Sequence, residues 1–125
     1  MSNLALPFVD GVVPVPLHIK KLRERGFNQS LIIARPLSKS LRIPLLMDVL
    51  IKIKETPPQI GLSAKDRISN MKNAFSVHGD VKDMRILLVD DVMTTGATVT
   101  SCSSALMKAG AREVFVLALA RSRIM

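Results

Sequence analysis

Ile86-Leu87-Leu88-Val89-Asp90-Asp91-Val92-Met93-Thr94-Thr95-Gly96-Ala97-Thr98 joins an unbroken apolar run to two carboxylates and a short loop rich in hydroxyl groups. Four apolar residues in succession, Ile86 to Val89, read as a strand buried on both faces of a parallel sheet. Such sheets bind ligands at the carboxyl ends of their strands, which is where Asp90 and Asp91 fall. At least one of the two carboxylates should reach solvent. A carboxylate only accepts hydrogen bonds, which suits the neighbouring hydroxyls of a ribose ring. Thr94, Thr95, Gly96, Ala97 and Thr98 then read as a tight turn into a helix, with Gly96 letting the backbone approach a ligand closely. That turn offers free N–H groups, hydroxyl donors and the positive end of a helix dipole to one phosphate. Acids for a sugar beside an uncharged anion cradle fit a ribose 5-phosphate better than a triphosphate.

Two other arrangements place acids after an apolar strand. In P-loop ATPases the acidic motif needs an upstream G-x-x-x-x-G-K-[ST], which this chain lacks. In response-regulator receivers the acidic pair opens the domain, whereas here only Val92 to Met125 follows it.

Hydrophobic strand, two acids and Thr-Thr-Gly, in that order, resemble the motif with which type I phosphoribosyltransferases bind phosphoribosyl pyrophosphate (PRPP). Further stretches make the chain similar to the ComF family of competence-associated proteins. They are Val13-Pro14-Val15-Pro16-Leu17-His18, Arg25-Gly26-Phe27-Asn28-Gln29, Thr56-Pro57-Pro58-Gln59, Leu62-Ser63 with Arg67, and Asn70 with Ala74-Phe75. The resemblance runs from about Gly11 to Arg121. It implies an α/β fold, a central and mainly parallel sheet flanked by helices. It also implies displacement of pyrophosphate from PRPP by an unknown nitrogen acceptor, with Mg²⁺ carried by PRPP itself and no direct protein–metal bond. Asp90 and Asp91 would lie beneath the ribose, Thr94 to Thr98 around the 5-phosphate, and Arg25, Lys65 and Arg67 on the pyrophosphate side. The alternative is a non-catalytic PRPP-binding module that meets single-stranded DNA or a competence helicase; a homodimer is compatible with either. ComF-like proteins usually begin with a zinc ribbon of paired cysteines, and this chain has a single Cys. The hood that recognises the acceptor base is accordingly expected to be reduced.

Length and composition agree with one domain spanning residues 1–125: 48% of residues are hydrophobic and 22% charged. One Cys rules out an internal disulfide, and no apolar run is long enough for a membrane span, so the cytoplasm is the expected compartment. A net charge of +8 will attract polyanions at low salt, PRPP and nucleic acid alike. Aromatic residues are 3% of the chain, without Trp or Tyr, so base stacking would have to rely on four Phe.

Along the chain, Val12 to Pro16 reads as a short strand, and the basic stretch His18 to Arg25 as the loop after it, with Arg25 as a bidentate phosphate ligand. Asn28 or Ser30 should cap a helix whose apolar stripe is Leu31, Ile32, Ala34, Leu37 and Leu41, with a kink or a late start at Pro36. Met47 to Lys54 reads as a strand with Val49, Ile51 and Ile53 alternating against Leu50, Lys52 and Lys54. Residues 56–76 read as a lid carrying Gln59, Ser63, Lys65, Arg67 and Asn70, with a short helix capped by Ser63. The helix after Thr98 should bury Val99, Cys102, Leu106 and Ala109 and end at a left-handed Gly110. Val114 to Ala120 reads as the last buried strand; Cys102 as a small hydrophobe; His18 and His78 as no metal ligands.

Overall fold

The computed structural model describes residues 8–54, 63, 65–66, 72–93 and 96–121. Its elements are β1 (Gly11–Pro14), α1 (Ile19–Arg25), α2 (Gln29–Leu41), β2 (Leu50–Lys52), β3 (Phe75–Val77), β4 (Arg85–Met93), α3 (Ala97–Lys108) and β5 (Glu113–Arg121). β4 lies between β1 and β5, parallel to both. β2 and β3 form a separate antiparallel pair. The sequence anticipated this α/β class.

β4 carries the fold because its alternate side chains enter two different cores. Ile86 and Leu88 join Val13, Leu50, Val81, Cys102 and Leu106 on the α3 side. Leu87 and Val89 join Val9, Val12 and Ala34 on the α2 side. An uninterrupted apolar strand is what such two-sided burial requires. The strand extends through both acids to Met93, so the carboxylates stand on its last residues rather than beyond it. Val15 prolongs β1 by donating its N–H to the Val89 carbonyl at 2.9 Å.

α2 runs unbroken from Gln29 through Pro36 to Leu41, with Asn28 Oδ1 accepting from the Ser30 and Leu31 N–H groups. It therefore starts early, not late. Pro36 and Ile32 are both on the exposed side, so the carbonyl that loses its helical partner can be hydrated. The inward stripe also differs from the apolar pattern. Ser30, Ala34 and Ser38 are buried, while Ile32 is 59% exposed. These small residues at four-residue spacing bring the helix close to β1 and β4. Ser38 satisfies its hydroxyl on the Ile43 carbonyl.

Four other expectations are corrected. His18 to Arg25 is not a loop: Ile19–Arg25 forms a short helix between a His18 cap, whose Nδ1 accepts from the Lys20 N–H, and a left-handed Gly26. In the 47–54 stretch only Leu50–Lys52 is a strand, and its parity is reversed, since Leu50 is buried while Ile51 and Ile53 are exposed. Phe75–Val77, of which sequence placed Phe75 and Ser76 in the lid, is the strand that pairs with it. Among the described residues β5 lies at the edge of its sheet, and its residues from Glu113 to Ala120 are half-buried or exposed rather than buried. α3 ends as anticipated: Gly110 has φ +105°, and the Gly110 and Ala111 N–H groups reach the Met107 and Leu106 carbonyls, though Ala109 is exposed.

The close α2 contact yields a direct test. Ala34→Leu should overpack the interface and destabilise the protein by about 1–3 kcal/mol, read as a lower urea midpoint, while Ile32→Ser should change stability by less than about 0.5 kcal/mol.

Candidate functional site

Three consecutive residues at the start of α2 tie the carboxyl end of the sheet together. Asn28 Nδ2 donates to the Val15 carbonyl at 3.1 Å, continuing β1 into the helix cap. Gln29 Oε1 accepts from Arg25 Nη1 at 3.0 Å. Ser30 Oγ donates to Asp90 Oδ1 at 3.4 Å. The same Oδ1 accepts the Asp91 N–H at 2.9 Å.

The two acids are thereby divided. Asp90 is 7% exposed, whereas Asp91 is half-buried and reaches the surface. The expectation that at least one carboxylate faces solvent holds for Asp91. Burial pushes the Asp90 carboxyl up to about 6, and the neighbouring Asp91 pushes the same way, against the stabilising bonds from the Asp91 N–H and Ser30. Asp90 is thus a buried store of unfavourable charge, and Asp91 is the acid of the pair that reaches solvent.

Past β4, Gly96 is the N-cap of α3 at φ +82°, and with no side chain it leaves the first-turn N–H groups without a side-chain acceptor of its own. Ala97 is buried and Thr98 half-buried. Thr94 and Thr95 lie outside the described residues. Gly96 and Ala97 open onto a cavity of about 580 Å³ that is also lined by Lys65, Lys72, Asn73, Phe75 and Ser101. Lys65, a lid residue singled out from sequence, therefore shares with Gly96 and Ala97 a cavity that runs along α3. The cavity adds Lys72 and Asn73, which sequence reasoning missed; Asn73 stands at φ +58°, a turn conformation that asparagine tolerates. Ser63 Oγ accepts the Asp66 N–H at 3.1 Å, the anticipated cap. Arg67, Gln59 and Asn70 lie outside the described residues. Arg25 is exposed at the end of α1, and its described contact is Gln29.

Lys52 is a third residue not foreseen. It sits on β2 with Nζ 5.9 Å from the centroid of the Phe75 ring, and burial lowers its ammonium from the usual lysine range. Cys102 lies in the field of both Lys52 and Asp90; burial pushes its thiol up, and it packs as a hydrophobe, as read from sequence. Beyond Lys52, an apolar groove of about 840 Å³ runs between α1, α2 and β2 past Leu17, Phe27 and Ile51.

A parallel strand carrying paired acids near its carboxyl end, followed by a glycine-headed helix, defines a phosphoribosyltransferase-like domain. The phosphoribosyl transferase domain family matches residues 28–124. The chain belongs to that family, in its ComF branch. It is 43% identical over 123 residues to Competence protein F of Haemophilus influenzae, covering 96% of this chain and 53% of that protein. It is 38% identical over 121 residues to the DNA utilization protein YhgH of Escherichia coli K12, covering 97% and 52%. It is 31% identical over 112 residues to Competence protein ComFC of Bacillus subtilis, covering 89% and 44%. The chain thus spans about half the length of the curated relatives it matches. Among solved structures, purine phosphoribosyltransferase of Pyrococcus horikoshii shares 29% identity at a TM-score of 0.56, covering 90% of this chain and 61% of that one. Glutamine PRPP amidotransferase of B. subtilis shares 26% at 0.62, covering 93% and 23%. Among the described residues no helix is long and apolar enough to cross a membrane.

The raised Asp90 carboxyl fixes the sign of a pH effect. Its folded value lies above the ordinary 3.8, so stability falls as pH rises from about 4 through about 6. The cost of ionising it is fully present above that window and absent below it. Asp90→Asn should therefore raise Tm by several degrees near pH 7.5, with the advantage shrinking as pH is lowered toward 4, measured by thermal melts across pH; two pKa units correspond to at most roughly 3 kcal/mol.

Proposed function

We propose that this domain binds PRPP at the end of β4 and transfers its phosphoribosyl group to a nitrogen acceptor. The observation that carries the reading is the placement of a solvent-reaching Asp91, backed by the buried Asp90, a few residues before Gly96 at the head of α3. Asp91 accepts from the ribose hydroxyls and the residues from Thr94 to Thr98 receive the 5-phosphate, while Lys65 and Lys72 add positive charge to the cavity onto which Gly96 and Ala97 open. Arg25 and Arg67 are the remaining candidates for the pyrophosphate. In the reaction the bond from the anomeric carbon to pyrophosphate breaks with its electron pair leaving on oxygen, a carbon–nitrogen bond forms, and the acceptor nitrogen releases a proton. The transition state has oxocarbenium character, so the protein contributes position and charge rather than a nucleophile.

Magnesium prefers oxygen ligands in near-octahedral geometry. Of the adjacent carboxylates only Asp91 reaches the surface, so the ion would be held chiefly by oxygens of PRPP. When bound, it would neutralise the departing pyrophosphate. The names of the relatives, competence and DNA utilization, support DNA uptake as the setting in which this chemistry serves.

PRPP with magnesium at millimolar concentration should raise Tm by several degrees, as a ligand at about 100 times its Kd adds roughly 2.7 kcal/mol. Asp91→Asn should abolish the shift. Gly96→Ala should weaken it and cost about 1–2 kcal/mol of stability, because a left-handed φ is strained for any residue with a Cβ while the space around it is open. Pyrophosphate release screened across nucleobases and amines tests transfer itself; a wild-type melt indifferent to PRPP would sink the reading.

A further inference from the structure

Single apolar side chains are scattered over most protein surfaces, but in this chain they gather. Among the described residues eleven large hydrophobics are exposed, and five of them, Ile19, Phe27, Ile32, Met47 and Ile51, line the groove of about 840 Å³ between α1, α2 and β2. Exposed apolar surface concentrated in this way marks an interaction site. α1 gives a second reason. Ile19 and Leu22, three residues apart, turn an apolar stripe of the helix to the groove, yet α1 buries none of its seven residues. A helix so short is marginal by itself and draws its stability from packing an apolar face. An occupant of the groove would cover that face.

Shape and charge together select the occupant. The floor of the groove includes the buried Pro14 and Leu50, and its walls are two helices and a strand. A lipid surface receives protruding apolar side chains, whereas a hollow of this form receives the apolar face of an amphipathic helix through anchors at i, i+3, i+4 and i+7. The surrounding charge is mostly positive. Arg35 and Lys52 line the groove against one acid, Asp48. α1 beside it carries Lys20, Lys21, Arg23 and Arg25 against Glu24. A second copy would bring the same basic rim in a chain of net charge +8, and like charges opposed across an interface suppress association. The complementary partner is acidic.

We infer that the groove between α1, α2 and β2 is the docking site for an amphipathic helix of a partner protein, apolar on the face it buries and acidic on its flanks. The probe is a labelled synthetic helix of about 18 residues, with leucine at i, i+3, i+4 and i+7 spacing and glutamate on the other face, followed by fluorescence anisotropy. The 125-residue chain should bind it at least tenfold more tightly than a peptide with lysine in place of each glutamate, and than one of the same composition in scrambled order. Phe27→Asp and Ile32→Asp should each weaken binding at least tenfold with circular dichroism unchanged, because both side chains are exposed. Leu119→Asp, on β5 and outside the groove, should leave binding as it is. No binding of the acidic peptide at 100 μM overturns the proposal, as does equal affinity for the lysine peptide or indifference to both groove substitutions. So does binding to phosphatidylglycerol vesicles in place of the peptide, which assigns the surface to a membrane. A dimer in sedimentation velocity that Ile32→Asp dissolves overturns it too, by assigning the groove to a second copy.

Discussion

A carboxylate kept under the surface organises this molecule. Asp90 ends the buried part of β4, accepts from the Asp91 backbone and is met by Ser30 from α2. Burying that group raises its proton affinity and makes its ionised form a cost at neutral pH. Its contribution is orientation: with Asp90 held inside, β4 must carry Asp91 out at the sheet's carboxyl edge. α2 must begin where it does, because Asn28 is tied to the end of β1 and Ser30 to Asp90. A site whose ionised groups cost stability is the ordinary condition of binding and catalytic centres.

The surrounding charge has a different character from the site. α1 presents Lys20, Lys21, Arg23 and Arg25 on a helix that buries no residue of its own, and its ion pair, Lys21 with Glu24 at 3.9 Å, is solvent-exposed and weak. A capped helix that buries none of its residues and borders an apolar groove is a basic surface element rather than part of the core. Such a field concentrates polyanionic ligands at low ionic strength and loses that effect as salt rises.

How much was legible in the sequence follows from how local each determinant is. β4 was readable because burial on both faces writes itself as an apolar run, and the ends of α3 because glycine marks each of them. The exposed Ile32 and the buried Ser30 and Ser38 were not readable, since the inward face of α2 is selected by closeness to the sheet rather than by hydrophobicity. The parity of β2 was misread from alternation, because Leu50 rather than Ile51 and Ile53 faces the core in the strand that pairs with Phe75–Val77. At the site, the acidic pair, the glycine and Lys65 were visible as a motif and a lid. The division of labour between Asp90 and Asp91 depends on a serine sixty residues away, and Lys52, Lys72 and Asn73 acquire meaning only when the chain is folded.

The single cysteine offers one more consequence. Cys102 is 0% exposed, between β4 and the rest of the α3-side core, and burial disfavours its thiolate. An alkylating reagent needs both access and the ionised sulfur. In the native state it is denied both, so the rate at which that one sulfur is modified reports how often the α3-side core opens, an internal clock for breathing of the domain that requires no added label.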